Sequence, residues 1–319
     1  METLLLGVFP HSGSSSTGNI ALQHRVVLAP LTRFKATMTE QRASTPGTLL
    51  ITEATFIAAR VGGYNHIQDI WSPAQIAAAR SLVPHISASE VQRPGYKSAL
   101  RPLTVPEITE YVGLYAQAAK NAIEAGFDGV EIHGPSQFIS CAARFIYQIL
   151  LQAVTNTRTD GYGGSIANCA RFTLEVVDAL VAAVSAEKTA IRLKPRSPLQ
   201  GASLSFSRMA MEDLIPTFSH LIPELAVRHP TLAYLHLVEP RIEGGATREE
   251  SSVGAHESND TLRALWAPRP FIRAGGFSRE GALVAAESGD LIAFGRLFIA
   301  NKDLPLAPYN RTTFYISEE

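Results

Sequence analysis

The chain has 319 residues, 46% of them hydrophobic and 18% charged, with 28 Lys and Arg against 29 Asp and Glu. That length and composition suit one folded domain spanning 1–319 and lie far from the regime of disorder. The balanced charge leaves no electrostatic footprint for nucleic acid or an anionic membrane surface, so small neutral ligands fit better. Two cysteines, Cys141 and Cys169, are too few for a disulfide framework; they read as buried, inert thiols in a reducing compartment. The first residues, METLLLGVFPHSGSSS, hold a short apolar run without a basic flank, unlike a secretory signal. No apolar stretch reaches the roughly 20 residues of a membrane helix, and the expectation is a soluble cytoplasmic protein.

In chain order, short β-branched runs read as strands at Arg25–Leu28 and Leu49–Thr52. Val105–Ala125 then repeats apolar residues at helical spacing, with Thr104 and Glu107 placed as a capping box. Gly129–His133 is the next strand, followed by a helix over Arg171–Ala183, a strand at Ala190–Leu193 and a helix over Met211–Leu225. Strands at Tyr234–Val238 and Phe271–Ala274, a helix over Ser278–Ser288 and a strand at Leu291–Phe294 complete the alternation. Alternation of this kind implies a parallel sheet with helical crossovers, open or closed. No GxGxxG turn follows the first strand, which argues against the open dinucleotide fold. The fold class is therefore α/β, a TIM (β/α)8 barrel. It is one strand short, because residues 81–104 read as an uncommonly long loop where another strand is wanted.

In such a barrel the chemistry belongs at the C-terminal ends of the strands. Gly275, Gly276, Gly295 and Arg296 follow the last two strands, where barrels build phosphate sites; equally, the glycines make tight turns. His133 ends a buried strand and either donates to a ligand oxygen or packs against backbone. Arg192, also near a strand end, requires an anionic partner: a ligand phosphate, an anionic ring or a protein carboxylate. Thr32 either bonds a ligand ring or caps a turn. The nine histidines show no ligand spacing for a metal, and neither a GxSxG elbow nor a Walker loop occurs.

Larger motifs narrow the reading. LAPLTR at 28–33, TPGTLLITEATFI at 45–57, RPLTVPEI at 101–108, AAKNAIEAGFDGVEIHG at 118–134, NTRTDGYGGSI at 156–166 and FGRLFIANKDL at 294–304 occur in one order. Together they resemble the fungal branch of the Old Yellow Enzymes. The resemblance implies FMN at the barrel mouth, NADH or NADPH as reductant, and an enal or enone as substrate. It places Pro30, Leu31, Thr32 and Ala54 against the flavin ring, Arg192 at its pyrimidine edge, and Gly275, Gly276, Gly295 and Arg296 on the phosphate. His133 and Ser136 then fall where the family clamps the substrate carbonyl.

The same comparison exposes departures. Where the family has His-Gly-Ala-Asn-Gly-Tyr, this chain has His133-Gly134-Pro135-Ser136-Gln137-Phe138. Ser136 is shorter than Asn, and Phe138 has no proton to give in place of Tyr; water or Tyr147 is left as acid. A lost carbonyl donor costs about 3 kcal/mol of transition-state stabilisation, and a lost general acid about two to four orders of magnitude in rate. The barrel strand that carries a flavin-binding Gln in the family has no counterpart before Arg101. Three functions follow: an FMN-dependent ene-reductase, a catalytically impaired barrel that binds ligand, or a flavin isomerase without net redox.

Overall fold

The computed structural model describes residues 3–8, 15–17, 20–31, 45–53, 55–57, 86–89, 101–133, 150–151, 156–195, 211–243, 246–248, 257–301 and 303–306. Among the described residues nine strands form the central sheet, and eight of them, numbered in chain order, make its ring: β1 (Thr3–Val8), β2 (Val26–Leu28), β3 (Leu49–Ile51), β4 (Gly129–His133), β5 (Thr189–Leu193), β6 (Tyr234–Val238), β7 (Phe271–Ala274) and β8 (Leu291–Phe294). β2 to β8 are the seven strands expected from the sequence. They run parallel in the spatial order β3-β2-β8-β7-β6-β5-β4.

The gap between β4 and β3 is filled by a strand the sequence reading did not anticipate. β1 runs antiparallel to both neighbours, pairing from Thr3 with His133 to Gly7 with Gly129 on one side. On its other side Gly7 faces Ile51 and Val8 faces Leu50, while Thr3 and Leu4 face the short strand Thr55–Phe56. The sheet thus closes into a ring of seven parallel staves and one antiparallel stave. Closure removes the two exposed ladder edges that a missing strand would leave. Between residues 81 and 104 the described residues hold only the two-residue pairing of Ile86–Ser87 with Arg101–Pro102.

Helices cover the ring: α1 (Val105–Glu124), α2 (Ile166–Val184), α3 (Met211–Arg228), α4 (Asp260–Trp266), α5 (Arg279–Glu287) and α6 (Arg296–Ala300). Thr104 caps α1 in the expected capping box with Glu107. Arg101 clasps the same carboxylate and, as the largest cause, holds it near pKa 2. The buried face of α1 presents Ile108, Tyr111, Tyr115, Ala118, Ala119 and Ala122. α2 begins five residues earlier than the sequence suggests, at the Ser165 cap. α4 was not expected at all.

Strand residues alternate between two cores, as the pleat requires. Val130, Ile132, Ile191, Leu193, Leu235 and Leu237 pack outward with the helices. Val27, Ile51, Ala190, Tyr234, Val238, Ile272, Ala274 and Ala293 form a second, inner cluster. Glu131, His133, Arg192 and His236 share the inward parity on β4, β5 and β6, so one side of the barrel interior is polar.

Candidate active site

The rim at the C-terminal ends of the parallel strands gathers most of the residues singled out in the sequence. Backbone register fixes their order. Phe294 pairs with Leu28, and Ala29 donates its N–H to the Phe294 carbonyl at 2.9 Å. Pro30 and Leu31 therefore leave β2 beside Gly295 and Arg296. The Leu31 side chain lies 3.2 Å from where a Cβ on Gly295 would sit, so glycine there allows leucine to fold over the turn. Ala274 pairs with Ala293, which brings Gly275 and Gly276 to the adjoining strand end.

Both of these glycines adopt positive φ, +142° and +71°. A Cβ on Gly275 would meet Glu239 Cβ at 2.7 Å and its backbone nitrogen at 3.0 Å. Only glycine lets β7 end so close to the chain leaving β6. Beside this turn Arg273 is engaged structurally, with Asp290 and Asp260 each at 2.8 Å.

Across the ring stand His133 and Arg192, residues directly opposite one another on β4 and β5. Arg192 Nη1 approaches His133 Nδ1 at 3.1 Å. His133 is buried, and its pKa is held well below the ordinary 6.5, first by burial and then by its basic neighbours, the Arg192 guanidinium foremost. A neutral imidazole and a partly buried guanidinium thus sit side by side at the mouth.

Sequence reasoning missed what lies beneath them. Arg192 also faces His236 on β6, with Nε 3.4 Å from His236 Nε2. His236 Nδ1 in turn lies 2.9 Å from Glu131 Oε2, both side chains being fully buried. Burial is the main cause lowering the His236 pKa, against the raising effect of Glu131. Tyr234 is pushed well above its ordinary value by burial and then by Glu131. The other oxygen, Glu131 Oε1, is buried with no hydrogen-bond partner among the described residues. The available signal was the two-residue spacing of Glu131 with His133 and of Tyr234 with His236, which puts each pair on one strand face.

Arg192 thus meets two histidines directly and reaches the Glu131 carboxylate through His236. Thr32, Ala54 and Ser136 lie outside the described residues, as do Phe138, Tyr147 and Cys141. Cys169 is buried, and burial raises its thiol pKa, in keeping with an inert core cysteine. Among the described residues no group of three metal-ligating side chains occurs, and no helix is long and apolar enough to cross a membrane.

The 156–166 block has a structural task. Buried Asn156 donates to the carbonyls of Leu150 and Tyr162, each at 2.7 Å. Arg158 reaches the carbonyls of Ala88 and Leu103 at 2.9 and 2.6 Å and pairs with Asp160. A Cβ on Gly163 would strike the Arg158 carbonyl oxygen at 2.5 Å. The block thus ties the distant segments at Ala88 and Leu103 to the start of α2.

A model of the NADH:flavin oxidoreductase / NADH oxidase family matches residues 16–92 and 89–308. Chanoclavine-I aldehyde reductase fgaOx3 of Penicillium roqueforti is 38% identical, over 95% of this chain and 92% of that protein. The probable inactive dehydrogenase easA of Claviceps purpurea is 35% identical, over 94% of this chain and 90% of its own length. Both alignments extend over 359 positions, more than the 319 residues here, so the relatives carry segments that this chain lacks. The old yellow enzyme homologue from Zymomonas mobilis superposes with a TM-score of 0.74 at 27% identity, covering 95% of this chain and 93% of that one. Closed barrel, rim and family match agree: the chain belongs to the NADH:flavin oxidoreductase / NADH oxidase family, the FMN- and nicotinamide-using Old Yellow Enzymes.

Proposed function

We propose that this protein is an FMN-dependent NAD(P)H oxidoreductase that reduces the C=C bond of enals and enones, with a place in secondary metabolism. The observation that carries the reading is the 3.1 Å contact of Arg192 with neutral His133, on the same rim as the glycine turns at 275–276 and 295. The donor set fits FMN: a guanidinium suits an electron-rich ring edge, and backbone N–H groups freed by consecutive positive-φ glycines suit a phosphate.

FMN, when bound, would supply the hydride chemistry between a nicotinamide and an electrophilic carbon. Arg192 would favour negative charge on the flavin ring, and Pro30, Leu31, Thr32 and Ala54 would line that ring. Gly275, Gly276, Gly295 and Arg296 would hold the phosphate. His133, kept neutral by its surroundings, donates a hydrogen bond to the substrate carbonyl and polarises it. Ser136 is the second, weaker donor. Phe138 supplies no proton to the α-carbon, so water or Tyr147 completes that step.

A second reading, a barrel that binds ligand without turnover, is favoured by Ser136 and Phe138 at the clamp and proton-donor positions. The name of easA, a probable inactive dehydrogenase, supports it as well. Purified protein supplied with FMN, NADPH and cinnamaldehyde separates the two. Saturated aldehyde formed with matching NADPH consumption supports the reductase. Retained FMN without enal-dependent NADPH consumption supports the ligand-binding reading, and failure to retain FMN removes the flavin from both.

A further inference from the structure

We infer that Glu131 and His236 are positioning residues, a buried relay that orients Arg192 and thereby fixes His133 as an Nε2–H donor toward the barrel mouth. The inference deepens the function proposed above and rests on it for its catalytic meaning and for the FMN arm of its test, but not for the tautomers that test it first. It follows from which groups can donate and which can only accept. At one end, the Glu131 carboxylate offers acceptors alone; in the middle, the Arg192 guanidinium offers donors alone. His236 lies between them, with Nδ1 at 2.9 Å from Glu131 Oε2 and Nε2 at 3.4 Å from Arg192 Nε. One neutral tautomer satisfies both neighbours, the one with its proton on Nδ1.

Arg192 Nη1 stands 3.1 Å from His133 Nδ1 and can only donate. His133 Nδ1 must therefore accept, which leaves its proton on Nε2. The two histidines hold opposite tautomers because they flank one guanidinium. The 3.4 Å link is the longest of the three. Strand register supports it independently, since Arg192 is paired with His133 on one side and His236 on the other.

A ligand atom that meets His133 Nε2 must accept a hydrogen bond. The relay thereby selects carbonyl, carboxylate or phenolate oxygens over groups that only donate. It also places the Glu131 anion two residues along the strand from His133, so that the Arg192 cation has a counter-charge inside the barrel. A lone cation in that interior would be costly.

Full-length protein labelled with 15N-histidine tests this by NMR at pH 7.5, with His133→Gln and His236→Gln used for assignment. The expected pattern is His236 protonated on Nδ1 and His133 protonated on Nε2. Glu131→Gln retains an acceptor and should keep both tautomers. Glu131→Leu removes it, should let the His236 ring turn away from Arg192 and so release His236 to a mixture, with an FMN dissociation constant at least tenfold larger by fluorescence titration. His133 on Nδ1 or His236 on Nε2 in the unsubstituted protein overturns the relay even if Glu131→Leu fails to fold. Glu131→Leu that folds and binds FMN as tightly as the parent also overturns it. Loss of FMN binding by the parent protein, with the tautomer pattern intact, defeats the flavin reading and leaves the relay standing.

Discussion

Gly7→Pro tests whether β1 is a true stave of the barrel. Gly7 faces Gly129 on one side and Ile51 on the other, so its N–H points into a paired strand in either direction. Proline removes that donor and leaves a backbone carbonyl of β4 or β3 unsatisfied, at about 1–3 kcal/mol. Its ring is also excluded from a central strand, which brings the expected loss to about 3 kcal/mol. With an unfolding entropy of about 2.1 cal/mol/K per residue, a chain of this length should melt about 4–5 °C lower. Thermal unfolding by circular dichroism reads that shift. Hydrogen exchange at Val130 and Ile132 reads the loosened neighbour. An unchanged midpoint with unchanged protection of those amides would refute the insertion of β1 between β4 and β3.

Three further outcomes are expected. His133 and His236 titrate below 6.5 in the folded chain, so the unfolded chain takes up protons first as pH falls. Stability should be level above about pH 6.5 and decline below it, by at most about 1.4 kcal/mol per pH unit for each histidine; denaturant unfolding from pH 8 to 5 measures this, and rising stability on acidification would contradict it. Asn156→Ala strands two carbonyls tied to the 156–166 block and should cost about 2–3 kcal/mol while leaving the FMN dissociation constant unchanged. Phe138→Tyr should raise the rate of enal reduction by about two orders of magnitude or more, if a missing proton donor limits turnover; an unchanged steady-state rate would place the limitation elsewhere.

The parallel staves were legible as short apolar runs, most clearly where a helix of clear periodicity adjoins them, Val105–Glu124 before β4 being the plainest case. β1 was not. TLLLGV carries no turn signal that names a partner, and its pairing with residues 129–133 is a tertiary choice, open because the described residues hold no other strand between β4 and β3. At the site, His133 and Arg192 were legible from their places at strand ends. Glu131 and His236 were hidden because both strands read as apolar runs, and only the spatial order β4-β5-β6 shows that their alternate positions share one face. The NTRTDGYGGSI block marked the family without revealing its work, since the carbonyls held by Arg158 lie at Ala88 and Leu103, over fifty residues away.

The most direct test of the account is the visible absorption spectrum of purified protein equilibrated with FMN and freed of excess, taken beside the Arg192→Met and Gly275→Ala variants. A yellow protein with close to one flavin per chain, and flavin lost from both variants while their circular dichroism is retained, is the expected result. A colourless parent, or variants that hold FMN as the parent does, would contradict a flavin site on this rim.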